Sequence, residues 1–495
     1  MPQSDAVRHP RPDGMFDRAA EWEALVAFAC APEEGPSLGI VSGRRRQGKT
    51  YLLKALTRAT GGFYFGAQEV TEAESLHQLA DQLALHTGAS PAPGPHGWVD
   101  AVDALLALGD PGPFPVVIDE FPDLVRQSPA LPSILHGAFH RLQARSRPGR
   151  PRLLLSGSTV PVMHRLFSAS SPLRGLATLA LAVRPLDFRQ AAGLWGIDDS
   201  RLALLVHAVV GGAPAYRYEF VSDDTPTDPD DFDRWVCRTV LNPRRPLFWE
   251  ARHLLDQGAD HWDRALCHSV LTAIVSGNST RGAVTESVAC PLPQVSRALG
   301  VLQDCGLLQS ESDAFRPGLT WYRIAEPFLA FDHAIVWPHR SALEQSDAAQ
   351  VWQRARSVFD ALVVAPDFAQ VCRDWAAEFA APDTFGAPAG TVSHGSIPGP
   401  QGSTAFDIEV VVRGASDHQQ GALLSVGQAH WNEIMDLDNL RRLRHVLALL
   451  ADSGEDVGRA MPACYSGAGF SPELRAAEAR GEVLLVGLDR LYHGA

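Results

Sequence analysis

VSGRRRQGKT, residues 41–50, contains Lys49, and the only other lysine in the 495-residue chain is Lys54. Arginine carries every other fixed side-chain cation, so position 49 asks for something a guanidinium does not provide. Upstream, SLGIVS (37–42) reads as a short apolar strand. Downstream, KTYLLKALTRAT (49–60) sets Leu52, Leu53 and Leu56 at helical spacing. A strand entering a helix through Gly43-x-x-x-x-Gly48-Lys49-Thr50 is a P-loop pattern. Gly43 and Gly48 permit the tight turn, backbone N–H groups cradle phosphates, and the helix N-terminus adds a favourable dipole. Lys49 is expected at the β- and γ-phosphates, where a compact ammonium on a thin stem fits better than a planar guanidinium. The Thr50 hydroxyl is expected at a Mg²⁺.

Such a loop needs a carboxylate at the end of a neighbouring parallel strand, and FPVVIDEF (114–121) supplies one. Val116, Val117 and Ile118 make a buried run, and Asp119 and Glu120 emerge at its carboxyl end, where α/β sheets bind ligands. Asp119 is expected to hold Mg²⁺ through water, and Glu120 to orient and polarise an attacking water. A third run, RLLLSGST (152–159), ends in small polar residues. Ser156, with Ser158 or Thr159 as alternatives, is the candidate partner of the γ-phosphate or of the nearby water. Glu120, Lys49, Asp119 and Ser156 form the candidate catalytic set, with Thr50 and Asp119 as metal ligands.

Composition limits the alternatives. At 495 residues, with 45% hydrophobic and 20% charged residues, the chain reads as a globular protein of about three or four domains. No run approaches the ~18–20 uninterrupted apolar residues of a membrane span, and MPQSDAVRHPRPDGMFDR lacks the apolar core of a secretory signal. The seven cysteines (30, 237, 267, 290, 305, 372 and 464) are scattered without a C-x-x-C pair, which argues for a reducing, cytoplasmic setting. A formal charge of −14 disfavours a whole-surface nucleic-acid binder. Local patches at RLQARSRPGRPR (141–152) and LRRLRH (440–445) remain as candidate contacts.

The stretches FDRAAEWEAL (16–25), GRRRQGKT (43–50), VVIDEF (116–121), LLLSGST (153–159), SPLRGL (171–176), RPLDF (184–188) and GGAPAY (211–216) resemble, in order and spacing, the archaeal-type ATPase family. That family belongs to the STAND branch of P-loop NTPases and is related to AAA+ proteins. The resemblance implies ATP and ADP as ligands with Mg²⁺, and places Phe16 and Arg18 beside the adenine. It sets Pro214 facing the nucleotide from a helical lid. Arg46 and Gln47 inside the loop, and Tyr51 just after it, are counted with Gly43, Gly48, Lys49 and Thr50 as nucleotide contacts. The chain departs from the family at Leu176, where relatives carry an arginine; Arg174 or Arg165 would have to substitute, and turnover is expected to be slow.

The implied fold class is α/β, with a P-loop parallel-sheet core over 14–195, a helical lid over 196–258, a winged helix-turn-helix over 259–340 and a small α/β domain over 341–495. The last resembles a degenerate restriction-endonuclease-like domain of the DUF234 type. The acidic, proline-containing SDDTPTDPDD (222–231) reads as an exposed loop. RALCHSVLTAIVSGNS (264–279), RGAVTESVAC (281–290) and PLPQVSRALGVLQDCGLL (291–308) read as three helices, followed by two short strands within 307–324. Gln294, Ser296, Arg297 and Gln303 mark the exposed side of the third helix. It can act as an internal clamp or as a DNA contact through Arg297. GAPAGTVSHGSIPGPQGST (386–404) is expected to be a mobile loop. Beyond it, Asp407 fits a nuclease acid, but the next strand offers Val426, Gly427 and Gln428 and no lysine. The functional expectation is a nucleotide-driven switch; an ATP-modulated DNA-binding regulator and an ATP-gated nuclease are the alternatives. The sequence leaves open DNA contact by the C-terminal domain, an unidentified protein partner and homo-oligomerisation.

Overall fold

Five apolar runs form one sheet: β1 (Ser37–Ser42), β2 (Phe63–Gly66), β3 (Phe114–Asp119), β4 (Pro151–Gly157) and β5 (Ala177–Ala182). All pairings are parallel and the order is β2-β3-β4-β1-β5. β4 is buried along its whole length and β1 and β3 along most of theirs, as expected of parallel strands covered on both faces. On one face, Leu38, Ile40, Val116, Ile118, Leu153 and Leu155 pack with helices Glu72–Thr87, Trp98–Ala107 and Leu131–Gln143. On the other, Val41, Val117 and Leu154 pack with helices Ala19–Cys30 and Lys49–Thr60.

The computed structural model describes residues 9–88, 96–110, 112–145, 149–158, 163, 165–166, 168, 171–256, 263–345, 347–398, 406–415 and 421–494. Thr159 therefore lies outside the described residues. The chain divides into two units, Met1–Pro185 with Ala213–Ala215, and Leu186–Gly212 with Tyr216–Ala495. The parallel sheet belongs to the first.

The second unit begins with helices Phe188–Trp195 and Ser200–Val210. Asp187 caps the first in a reciprocal box with Gln190, and Asp199 caps the next. Three helices, Arg264–Val275, Arg281–Val288 and Leu292–Asp304, lead into the antiparallel hairpin β6 (Leu308–Ser312) and β7 (Thr320–Ile324). A mixed sheet follows, ordered β12-β11-β10-β9-β8, from β8 (Ala389–Ile397), β9 (Phe406–Gly414), β10 (Leu423–His430), β11 (Met461–Ser466) and β12 (Leu484–Gly487). β8, β9 and β10 are antiparallel; β10, β11 and β12 are parallel. This C-terminal sheet is a small α/β domain separate from the first sheet.

The strand β8 corrects the expectation of a mobile loop over its residues. AGTVSHGSI pairs with β9 along one edge, and its other edge meets the β6–β7 turn. There the Ala314 N–H donates to the His394 carbonyl at 3.0 Å, and the His394 N–H to the Glu311 carboxylate at 2.6 Å. The Ser396 hydroxyl donates to Asp313 at 2.8 Å. The ladder with β9 on one side and these hydrogen bonds to the hairpin on the other hold in place a sequence whose glycine and serine content alone suggests none. Both arginine patches are also largely committed. Arg152 is fully buried, and Arg141 and Arg145 pair with Asp103 and Asp110. Arg441 and Arg444 pair with Asp438 and Glu482. No helix among the described residues is long and apolar enough to cross a membrane.

Candidate functional site

β1 ends at Ser42, and the chain turns through Gly43 (φ 150°), Arg46 (φ 69°) and Gly48 (φ 89°) into the helix that starts at Lys49. At Gly43 a Cβ would stand 2.3 Å from the Val183 carbonyl oxygen, so no larger residue fits that turn. Arg46 occupies a left-handed conformation uncommon for a residue with a side chain. Its carbonyl accepts from the Ala215 N–H at 3.4 Å, which brings residues 213–215, with half-buried Pro214, to the loop. Gln47 is buried at the centre of the turn.

Lys49 is 5% exposed, and its Nζ donates to the Arg44 carbonyl within the loop at 2.8 Å. Burial lowers its pKa from 10.5 to about 8, against the opposing pull of Glu120 and Asp119. An ammonium held this way has little solvation of its own, so an arriving phosphate would meet a cation already stripped of most of its water.

Asp119 closes β3 and is buried. Its Oδ2 accepts from the Thr50 hydroxyl at 2.7 Å and from the Tyr64 hydroxyl at 2.9 Å, while Oδ1 accepts the Glu120 N–H at 3.1 Å. Thr50 follows Lys49 directly, so this bond joins the phosphate loop to the acidic strand end. A carboxylate and a hydroxyl are hard oxygen donors suited to Mg²⁺, which keeps waters and takes phosphate oxygens for its remaining positions. No group of three or more His, Cys, Asp or Glu side chains is arranged to hold a metal among the described residues.

Glu120 has φ 52°, again left-handed, where β3 breaks into helix Phe121–Gln127. Its carboxylate is engaged by Ser158, whose hydroxyl lies 2.8 Å from both oxygens and whose N–H donates to Oε2 at 3.1 Å. Ser156, two residues earlier, is fully buried and its hydroxyl has no partner. Strand alternation puts Ser156 and Ser158 on the same side, but only Ser158 clears the end of β4 and reaches the acids. The sequence carries no signal for Tyr64, the one hydroxyl-bearing residue in FYFG of β2.

Of the remaining candidates, Arg18 reaches the loop. Arg18 is buried in a left-handed turn (φ 64°), with its guanidinium on Glu21 (2.8 Å), the Arg184 carbonyl (2.7 Å) and the Gln47 carbonyl (3.4 Å). Its side chain thus braces the loop backbone. Phe16 is 38% exposed and Tyr51, in the first turn of the helix after the loop, 50%. Leu176 packs against the apolar layer of the sheet, and Arg174 is exposed.

In the C-terminal sheet, Asp407 is exposed, and burial raises the Glu409 acid to about 7. Arg297 lies on the exposed side of helix Leu292–Asp304.

No family model matches the chain. An uncharacterized protein of Methanocaldococcus jannaschii is 21% identical over 235 residues, 46% of this chain and 50% of that one. The chain thus spans about half the length of the curated relative it matches. Among solved structures, a Walker-type ATPase of Pyrococcus abyssi is 20% identical with a TM-score of 0.49, covering 65% of this chain and 97% of that one. The ORC2 protein of Aeropyrum pernix, in ADPNP–ADP complexes, is 16% identical with a TM-score of 0.43, covering 71% and 96%. The ORC1 protein of Aeropyrum pernix, in complex with DNA, is 16% identical with a TM-score of 0.29, covering 70% and 98%.

Proposed function

We propose that the chain is an ATP-binding, slowly hydrolysing switch of the STAND type, whose nucleotide state is passed to a winged helix and a C-terminal output domain. One observation carries the reading. The Thr50 hydroxyl bonds Asp119 at 2.7 Å, joining a glycine-bounded loop that contains a buried lysine to the acids at the end of a parallel strand. Lys49 would leave the Arg44 carbonyl for the β- and γ-phosphates, and the loop N–H groups would hold the rest of the chain of phosphates. Thr50 and Asp119 would hold Mg²⁺, which would neutralise developing charge on the phosphates when bound. Glu120 would orient water only after parting from Ser158, and no arginine stands at Leu176; both features support slow turnover. Phe16 and Tyr51 would flank the base, and Pro214 would face the nucleotide from the lid.

In this reading 14–195 is the ATPase core, 196–258 the lid, 259–340 the winged helix and 341–495 a degenerate nuclease-like module in a cytoplasmic protein. The test measures ATP binding and hydrolysis for wild type, Lys49→Ala and Glu120→Gln. Lys49→Ala is expected to lose nucleotide affinity by tenfold or more, and Glu120→Gln to retain binding and lose turnover. Equal affinity in wild type and Lys49→Ala would refute the reading.

A second reading, an ATP-modulated DNA-binding regulator, draws on the exposed Gln294 and Arg297 of the third helix. With the β6–β7 turn occupied by β8, contact would fall to that helix alone. Gel-shift titration at several salt concentrations tests it. Binding that is indifferent to Arg297→Ala and to salt would remove it.

A further inference from the structure

Four side chains stand in one series of contacts beside the phosphate loop, Thr50 to Asp119 to Tyr64 to Lys54. Thr50 and Lys54 are four residues apart on helix Lys49–Thr60 and therefore share a face. The Thr50 hydroxyl donates to Asp119 Oδ2 at 2.7 Å, the Tyr64 hydroxyl donates to the same oxygen at 2.9 Å, and Lys54 Nζ stands 5.2 Å from the centre of the Tyr64 ring. β2 and β3 pair with Tyr64 opposite Val117 and Gly66 opposite Asp119. Tyr64 therefore lies on the face of Asp119 and reaches diagonally to it, as long side chains do across neighbouring strands. Lys54 is the second of the two lysines in the chain, and both converge on this site.

We propose that Tyr64, steadied by Lys54, is a positioning residue for the Asp119 carboxylate, and that it sets how readily the site takes up Mg²⁺ with nucleotide. This rests on the nucleotide-binding reading above. For Thr50 to turn toward a metal its hydroxyl must leave Asp119 Oδ2. Among the described residues, Tyr64 is then the one side-chain donor left on that oxygen. With Tyr64 on Oδ2 and the Glu120 N–H on Oδ1, the carboxylate keeps its rotamer while Thr50 exchanges, so little ordering remains to be done when the metal arrives. Burial and the neighbouring Asp119 hold the Tyr64 phenol well above its ordinary pKa, so it stays a neutral donor. The ammonium over the ring adds a cation–π contact of the weaker, exposed kind.

The experiment follows binding of a fluorescent ATP analogue by anisotropy, with Mg²⁺ titrated and with EDTA present. The full-length proteins compared are wild type, Tyr64→Phe, Lys54→Met and Lys54→Arg. Tyr64→Phe is expected to raise the Mg²⁺ concentration for half-saturation by roughly five- to tenfold, with affinity in EDTA within about twofold of wild type. Lys54→Met should shift it about twofold in the same direction, and Lys54→Arg should restore the wild-type value. An unchanged Mg²⁺ requirement in Tyr64→Phe, or an equal loss of affinity with and without metal, would overturn the assignment. Lys54 is on the surface, so its variants report even if Tyr64→Phe does not fold. Failure of the wild type to bind the analogue at all would instead sink the nucleotide reading on which the assignment rests.

Discussion

Ser158 holds both carboxylate oxygens of Glu120, with its hydroxyl 2.8 Å from each and its N–H on Oε2 at 3.1 Å. Glu120 sits at a left-handed corner directly after the buried Asp119. The carboxylate proposed to orient a water is thus tethered just past the end of β4.

Ser158→Ala should free Glu120. The expected outcome is unchanged nucleotide affinity and basal ATP hydrolysis raised by roughly two- to fivefold, about 0.4–1 kcal/mol off the barrier. Steady-state phosphate release alongside equilibrium binding checks it. A fall in rate at constant affinity would assign Ser158 a phosphate contact instead.

Lys49 should give two pH signatures of opposite sign. Its folded pKa of about 8 lies below the unfolded 10.5, so the folded state binds fewer protons between those values and apo stability should rise with pH across that window. At about 1.4 kcal/mol per pH unit the contribution is about 3 kcal/mol. Nucleotide affinity should move the other way, falling above pH 8 by up to about tenfold per unit as the apo ammonium is lost. Urea midpoints and binding constants from pH 7 to 10, with Lys49→Met as the reference, check both. Parallel curves for wild type and Lys49→Met would contradict the assignment.

Asp313 is buried in the β6–β7 turn and accepts from the Trp321 indole (2.9 Å), the Ser396 hydroxyl (2.8 Å) and the Phe315 and Arg316 N–H groups (2.8 Å each). Burial opposes its ionisation, but the hydrogen bonds outweigh it and hold the acid below its ordinary value. The stability it contributes is thus present above about pH 4 and lost as pH falls through the folded value. Asp313→Ala should cost about 2–4 kcal/mol at pH 7, with a smaller deficit at pH 3, measured by urea unfolding. An equal deficit at both pH values would exclude the charge as the cause.

Arg152 has no exposed surface, and its guanidinium donates to the carbonyls of Gly35 (2.7 Å), Ala31 (2.7 Å) and Glu33 (2.6 Å) ahead of β1. Arg152→Leu should destabilise the first unit by about 2–4 kcal/mol. Calorimetry measures that loss, and gel shifts should show no change in DNA affinity. Normal stability with weakened DNA binding would return Arg152 to the surface.

The parallel sheet was legible because β1, β3 and β4 are continuous apolar runs and their ends carry glycine, lysine and acids at a spacing that few structures tolerate. That Ser158 and not Ser156 meets Glu120 was not, since it depends on where β4 stops, and strand ends are blurred by one or two residues. Tyr64 carries no motif; its meaning comes from a register between strands that lie some fifty residues apart. β8 was hidden because its order derives from two neighbouring chain segments instead of its own side chains. Likewise, nothing local in FDR foretells that Arg18 spends its guanidinium on backbone carbonyls.

The docking of the β6–β7 turn on β8 bears on how the protein can be dissected. A fragment ending near residue 340 would strip the cover from β8 in the remainder, baring a nine-residue sheet border open to strand addition by other chains. Well-behaved pieces of this region should therefore keep residues 264–487 together, and a cut between hairpin and sheet should yield aggregates from both halves.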